Sequence, residues 1–295
     1  MKTIYLCKDN IKAPSEKISI CLGYFDGIHL GHQQIIKEAL KNKVLPVSVL
    51  TFDKPVSSLL DNDKSKEVLT SLKDKEAEVG KLGADYLLVM QIDKDFLSLS
   101  AEEFIDILKR FNVSHIYVGD DYRFGKNKSG DSSLLMKSFD VTVVDTVLYK
   151  GEKISTQRII SLVKEGDMES VSKMLNRPYR ISGTVVEGHH NGEKLGIRTA
   201  NIKMDANYAL PKFGVYITNA FINGKAYKAI SNVGVHPTIQ KEKEPLIEVH
   251  IPNYKGIDYG KDISVEFLKF VREEKKFSSS KELVEQVRKD IALIL

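Results

Sequence analysis

The segment Cys21-Leu-Gly-Tyr-Phe-Asp-Gly-Ile-His-Leu-Gly-His32 constrains the fold of this chain more than any other. Ile18–Leu22 has the length and unbroken apolar character of a strand buried on both faces. Gly23, Gly27 and Gly31 follow and loosen the backbone. A helical pattern then begins near His32 and runs through Ile35, Ile36, Ala39 and Leu40. A strand, a glycine-bearing turn and a helix N-terminus form an anion site, because the first-turn amides are free and the helix dipole favours negative charge. His29 and His32 stand three residues apart at its mouth, where imidazoles can donate hydrogen bonds to phosphate oxygens. Two surface histidines in a strand-to-helix turn would give the same bare His-x-x-His. The frame of Gly23, Phe25, Asp26, Gly27 and Gly31 around the pair favours the functional reading.

The rest of the N-terminal half repeats this alternation. Pro46–Phe52, Asp85–Met90, His115–Gly119 and Val141–Val144 are apolar runs of strand length, and Gln33–Lys41, Ser71–Leu82 and Ala101–Phe111 are helical patterns between them. Ser100 and Glu103 form a capping box for the last of these. Apolar strands separated by helices predict a parallel sheet covered on both faces, with ligands at the carboxyl ends of its strands. A length of 295 residues fits about two domains. No apolar run spans a bilayer and the first residues lack a signal-peptide core, so a cytoplasmic protein without membrane partners is expected. Cys7 and Cys21 read as reduced thiols. A net charge of +4 is mild and does not by itself choose between anionic ligands.

Two further segments carry chemistry. The loop Gly119-Asp-Asp-Tyr-Arg-Phe-Gly125 leaves the end of a predicted strand and combines carboxylates, the aromatic residues Tyr122 and Phe124, and Arg123, a set suited to stacking a planar ring and holding phosphates. Ile154-Ser-Thr-Gln-Arg158 opens a helix predicted to reach about Leu175, with Ser155 and Thr156 as capping hydroxyls.

After Arg177-Pro178-Tyr179 the pattern changes to short strands with turn signals: Ile181–Val186, Gly214–Phe221, Lys225–Asn232, Leu246–Ile251 and Asp262–Val271. Asn223-Gly224 marks a hairpin, and Ser279 with Glu282 caps a last helix bearing Leu283, Val287 and Ile291 on one face. A small antiparallel barrel with a closing helix is predicted. Gly183, Gly188, Gly192 and Gly196 give it a glycine-rich approach for phosphates. Thr199 and Asn201, two apart on one strand face, can hold a hard cation, and Glu248 can deprotonate a hydroxyl.

The motif at 23–32 resembles the nucleotidylyltransferase signature of prokaryotic bifunctional riboflavin kinase/FAD synthetases, and the resemblance spans nearly the whole chain. Gly23, Phe25, Asp26, Gly27, His29, Gly31 and His32 match it. It implies an FMN adenylyltransferase domain at 1–180 with a Rossmann-like parallel sheet, and a riboflavin kinase barrel at 181–295. It also implies ATP, FMN and riboflavin as substrates, FAD as product, and Mg²⁺. By the same resemblance His29 and His32 are catalytic, and Gly23, Phe25, Asp26, Gly27, Gly31, Ser155, Thr156 and Arg158 bind nucleotide. Asp121, Tyr122, Arg123, Phe124 and Gly125 contact flavin and nucleotide, Gly183, Gly188 and Gly196 approach ATP, Thr199 and Asn201 hold magnesium, and Glu248 is the kinase base. Gly214-Val-Tyr216, Asn232–Thr238 and Tyr259-Gly260 match further kinase motifs.

The chain departs from the family at several points. Gln157 and Ile160 stand where the family has Thr and a phosphate-gripping Arg, which leaves Arg158 to reach from a neighbouring helical position. Arg198 stands where the family has a Pro, His236 replaces an Arg, and Pro252-Asn-Tyr254 replaces a flavin-proximal segment, so kinase activity is expected to be weak or absent. Small-molecule substrates and no nucleic acid are the expected partners. Two alternatives stay open at this level: adenylyl or cytidylyl transfer to another phosphate-bearing acceptor, and a flavin-binding regulatory protein without turnover.

Overall fold

From Lys2 to Val144, strands alternate with helices and neighbouring strands run parallel. In chain order the elements are β1 (Lys2–Leu6), β2 (Ile18–Leu22), α1 (Leu30–Lys41), β3 (Val47–Phe52), α2 (Ser57–Leu60), α3 (Leu72–Leu82), β4 (Tyr86–Met90), α4 (Lys94–Ser98), α5 (Ala101–Arg110) and β5 (Val113–Gly119). A ribbon of β6 (Arg123–Phe124) and β7 (Gly130–Asp131), then α6 (Ser132–Leu135), β8 (Asp140–Val144) and a hairpin of β9 (Leu148–Tyr149) and β10 (Glu152–Lys153) follow. The computed structural model describes residues 1–9, 14–41, 44–60, 66–187, 198–235, 245–254, 256 and 259–294.

The large sheet has the order β1-β4-β3-β2-β5-β8, with every pair parallel. Alternate strand residues divide into two apolar layers, as the period of two requires. Ile18, Ile20, Leu22, Leu50, Leu88 and Met90 pack under α5, against Phe104, Ile105 and Leu108. Val47, Val49, Leu87 and Val89 face the other way, onto Ile35, Ile36 and Ala39 of α1 and Val79 of α3. The chain builds outward from β2 through β3 to β4, then reverses to place β5 and β8 on the other side. The carboxyl ends of β2 and β5 therefore flank a topological switch point, where such sheets bind ligands.

The capping box forms as expected, with Ser100 accepting from the Glu103 amide and the Glu103 side chain reaching back to the Ser100 amide. Strand β1 was not foreseen, being short and half-exposed at the sheet edge. The helix expected from Ser155 to about Leu175 is two helices, α7 (Thr156–Glu165) and α8 (Met168–Leu175). Gly166 breaks it in a left-handed conformation (φ 83°), and Asp167 caps α8 by accepting from the Ser170 amide at 3.0 Å.

The chain forms two compact units, one of Met1–Val68 with Leu72–Thr156 and one of Leu69–Ser71 with Gln157–Leu295. In the second, α8 packs on the barrel strands β11 (Tyr179–Val186) and β16 (Asp262–Arg272). The other barrel strands are β12 (Ala200–Met204), β13 (Gly214–Ile222), β14 (Lys225–Val235) and β15 (Pro245–His250), and α9 (Ser280–Ala292) follows. The strands close in the order β11-β12-β15-β14-β13-β16, every pair antiparallel. Asn223 and Gly224 turn the β13–β14 hairpin with φ of 51° and 76°.

Helix α9 is held through Asp290, which is 3 % exposed and accepts from Arg272 Nη2 at 2.7 Å and from Gln286 Nε2 at 2.9 Å. Ile291 and Ile294 pack beside it on Val215 and Ile230. Asp290→Ala leaves the guanidinium without its carboxylate. Chemical denaturation should show a loss of about 2–4 kcal/mol in the barrel transition, toward the lower end because Arg272 is partly exposed.

Candidate functional site

Strand β2 ends at Leu22 in the centre of the sheet, and the backbone then makes a tight reversal. Phe25 is fully buried in a left-handed conformation (φ 54°), followed by a 3₁₀ turn at Asp26–Ile28 in which Gly27 has φ 75°. Gly27 is thus the glycine of this motif that uses left-handed freedom. Gly31 serves close approach instead, since a Cβ there would stand 3.2 Å from the His29 ring. Helix α1 starts at Leu30, two residues earlier than expected, so His32 lies in its first turn.

This placement changes the role of one histidine. The His32 amide donates to His29 Nδ1 at 3.3 Å, so His29 caps the helix and one first-turn amide is already occupied. A neutral His29 accepting at Nδ1 holds its proton on Nε2. The two imidazoles stack at 3.6 Å and 16°, and the edge of Phe25 meets His32 at 5.1 Å. Burial, then His29, then Lys75 push His32 well below the usual histidine range, against a hydrogen bond with the Asp26 backbone; His32 is therefore neutral. His32 Nδ1 is buried without a hydrogen-bond partner.

A cavity of about 220 Å³ opens over this turn, lined by His29, Gly31, His32, Asp121, Ser155 and Thr156 among others. Thr156 Oγ1 donates to the Asp26 carbonyl at 3.3 Å, tying the 154–156 segment to the turn. Lys153 also lines the cavity and bridges Asp121 at 2.7 Å and Asp120 at 3.4 Å. Burial works against the Lys153 charge, but the two carboxylates outweigh it. The Thr146 hydroxyl, at 2.7 Å, is the main cause holding Asp120 below its ordinary range.

Several expected residues sit elsewhere. Gly23, Phe25, Asp26 and Gly27 form the floor of the turn, and Gly23, Phe25 and Gly27 do not line the cavity. Of the loop residues expected at flavin, Asp121 lines it. Phe124 instead is a core residue, 6 % exposed and 5.3 Å from Phe104, with Tyr122 stacked on it at 5.8 Å. Arg123 is exposed and donates to the Tyr122 carbonyl, and Gly125 packs against the Ala101 backbone. Arg158 is a half-buried residue of α7 in the second unit, and Ile160 is buried on the same helix.

Lys75, Thr51 and Lys153 escaped sequence reasoning. Lys75 belongs to Lys73-Asp-Lys-Glu-Ala-Glu78, which reads as a solvated helix face, yet it is 2 % exposed. Its Nζ donates to the Tyr24 carbonyl at 2.7 Å and to Thr51 Oγ1 at 2.9 Å, and lies 3.9 Å from the centre of the Tyr24 ring.

The barrel gathers a second set. Glu248 is the direct cross-strand partner of Asn201 on one side and Asn232 on the other, so the three share one face. Asn201 Oδ1 is buried without a hydrogen-bond partner, and Asn232 Nδ2 donates to Glu274 Oε1 at 3.2 Å. Thr199, beside Arg198, lies just ahead of β12. His250 Nδ1 meets the Arg198 carbonyl at 2.7 Å, which fixes the backbone where the family has a proline. Gly183 has a packing role, since a Cβ would collide with the Lys203 carbonyl of the neighbouring strand. Gly188, Gly192, Gly196, His236 and Thr238 lie outside the described residues.

Comparison with known proteins matches the two halves of the chain separately. Residues 11–158 match the family model described as FAD synthetase, and residues 175–295 match the one described as Riboflavin kinase. A bifunctional riboflavin kinase/FMN adenylyltransferase of Bacillus subtilis is 36 % identical, over 98 % of this chain and 96 % of its own length. One from Escherichia coli K12 is 32 % identical over the same shares. A crystal structure from Streptococcus pneumoniae, named a macrolide-efflux protein, superposes with a TM-score of 0.90 at 30 % identity, covering 99 % of this chain and 98 % of that one. Among the described residues here, no helix is long and apolar enough to cross a membrane. With both halves matched in order, and relatives above 30 % identity along nearly its full length, the chain belongs to the bifunctional riboflavin kinase/FMN adenylyltransferase family.

Proposed function

We propose that the first unit transfers AMP from ATP to FMN and that the barrel phosphorylates riboflavin to FMN. The observation that supports the first assignment is the cavity joining the His29–His32 turn to Ser155 and Thr156 at the carboxyl ends of parallel strands. In the adenylyl step an FMN phosphate oxygen attacks the α-phosphorus of ATP, the bond to the β-phosphate oxygen breaks, and pyrophosphate leaves with that electron pair. Positioning and charge stabilisation supply the rate, without a covalent enzyme intermediate. His29, with its proton on Nε2, is the donor of the pair, and the α1 N-terminus receives the phosphates.

In the barrel, Glu248 takes the proton of the riboflavin hydroxyl as the hydroxyl oxygen attacks the γ-phosphorus of ATP, the bond to the β–γ bridging oxygen breaks, and ADP leaves with that electron pair. Thr199 and Asn201 offer oxygen donors, and the unpartnered buried Asn201 Oδ1 fits a hard cation such as Mg²⁺. Bound there, Mg²⁺ would screen the ATP phosphates. Among the described residues there is no cluster of three or more His, Cys, Asp or Glu able to hold a metal, so ATP oxygens would have to complete the coordination. The proposed setting is the cytoplasm, consistent with the free thiols of Cys7 and Cys21, with small molecules as the partners.

The deciding experiment supplies FMN or riboflavin with ATP and Mg²⁺ and separates products by chromatography. FAD from FMN and FMN from riboflavin are expected, and flavin binding without turnover would overturn the proposal. In the same assay Arg198→Pro should raise FMN formation a few-fold, since the ring limits the loop before ATP arrives and removes a cation that competes for phosphate oxygens.

A further inference from the structure

The turn carrying His29 and His32 rests on a closed triangle of polar groups. Lys75 Nζ donates to the Tyr24 carbonyl and to Thr51 Oγ1, and Thr51 Oγ1 donates to that same carbonyl at 2.6 Å. Tyr24 immediately precedes Phe25, whose left-handed conformation starts the reversal toward the histidines. A buried ammonium without partners would be very costly, so the lysine and the turn specify one another. Three segments distant in sequence meet here: α3, the end of β3, and the loop after β2.

We propose that Lys75 is a positioning residue for adenylyl transfer, clamping the Tyr24 carbonyl and Thr51 so that the turn presents His29 and His32, and supplying that turn with a positive charge. The inference rests on the assignment of adenylyl transfer to this unit. His32 is kept neutral in part by Lys75 itself. Lys75 thus brings a positive charge to the backbone from which the histidine turn departs. The ionisable groups around it are Asp26 on the turn, His32 at the start of α1, and the Tyr24 hydroxyl, which Asp26 and Asp53 in turn influence. Burial pushes Lys75 down to about 8, with Asp26 opposing. The charged form is present below that pH and is lost above it.

The test is the pH profile of FAD formation from FMN, ATP and Mg²⁺ by the full-length chain, from pH 6.5 to 9.5, with riboflavin phosphorylation by the same preparation as internal control. Wild type should show an alkaline limb centred near 8 that the kinase reaction lacks. Lys75→Met should lower kcat for FAD formation about 10- to 100-fold, as expected for a misplaced catalytic group, and should abolish the limb. Thr51→Val, which removes one acceptor of the ammonium, should move the limb to lower pH, and it decides the matter if Lys75→Met does not fold. A wild-type profile flat across this range, or an alkaline limb unchanged in Lys75→Met or Thr51→Val, overturns the role of Lys75. A wild-type chain that phosphorylates riboflavin but makes no FAD at any pH overturns the adenylyl assignment instead.

Discussion

Replacing His29 or His32 with alanine should lower FAD formation about 100-fold or more, the scale seen when one preorganised donor to a transition state is lost. The two variants reach that loss differently. His29→Ala removes a donor and also the acceptor that holds the His32 amide at the start of α1. Loss of a helix cap costs about 1 kcal/mol of stability, so a small fall in unfolding midpoint should accompany the fall in rate. His32→Ala keeps that cap acceptor but removes the ring stacked on His29 and edged by Phe25. Riboflavin phosphorylation should survive in both, because Glu248 and Asn201 lie in the other unit. Either variant making FAD at near wild-type rates would remove the histidines from the mechanism.

Glu248→Gln should have the reverse profile, with FMN formation from riboflavin down about 100-fold or more and FAD formation from supplied FMN retained. Glutamine keeps the shape of the side chain between Asn201 and Asn232 but cannot take the substrate proton. A structural carboxylate would behave differently. Its loss would change the unfolding midpoint and leave turnover per folded molecule intact, so measuring both quantities separates the cases.

What could be read from the sequence was what local physics decides. Ile18–Leu22 announced a central buried strand, Ser100 with Glu103 announced a helix start, and Asn223-Gly224 announced a hairpin, because each signal lies within a few residues of its effect. The break between α7 and α8 was also readable, since Gly166-Asp167 is a stop followed by a cap, but the amphipathic pattern on both sides masked it. The surroundings of residues that depend on distant partners were not legible. Lys75 looks like a surface lysine until Thr51 and the Tyr24 carbonyl are brought to it. Phe124 looks like a stacking platform until α5 brings Phe104 against it. Gly183 looks like a phosphate-loop glycine until β12 closes over it. The candidate site was thus visible as a motif, while its supporting layer was not.

The strand order described for each unit also sets when that unit can be completed during synthesis. Strand β1 is synthesised well before its sheet partner β4, with Lys2 set against Tyr86, 84 residues later. The barrel repeats the delay, since β11 closes on β16 with Tyr179 against Phe267, 88 residues apart (267 − 179). Each unit therefore depends on a long-range pairing whose loop-closure entropy is met before the contact rewards it. The nascent chain holds β1 without its partner until β4 is made, and holds one edge of β11 open until β16 is made, so these edges are the ones most in need of protection from premature association.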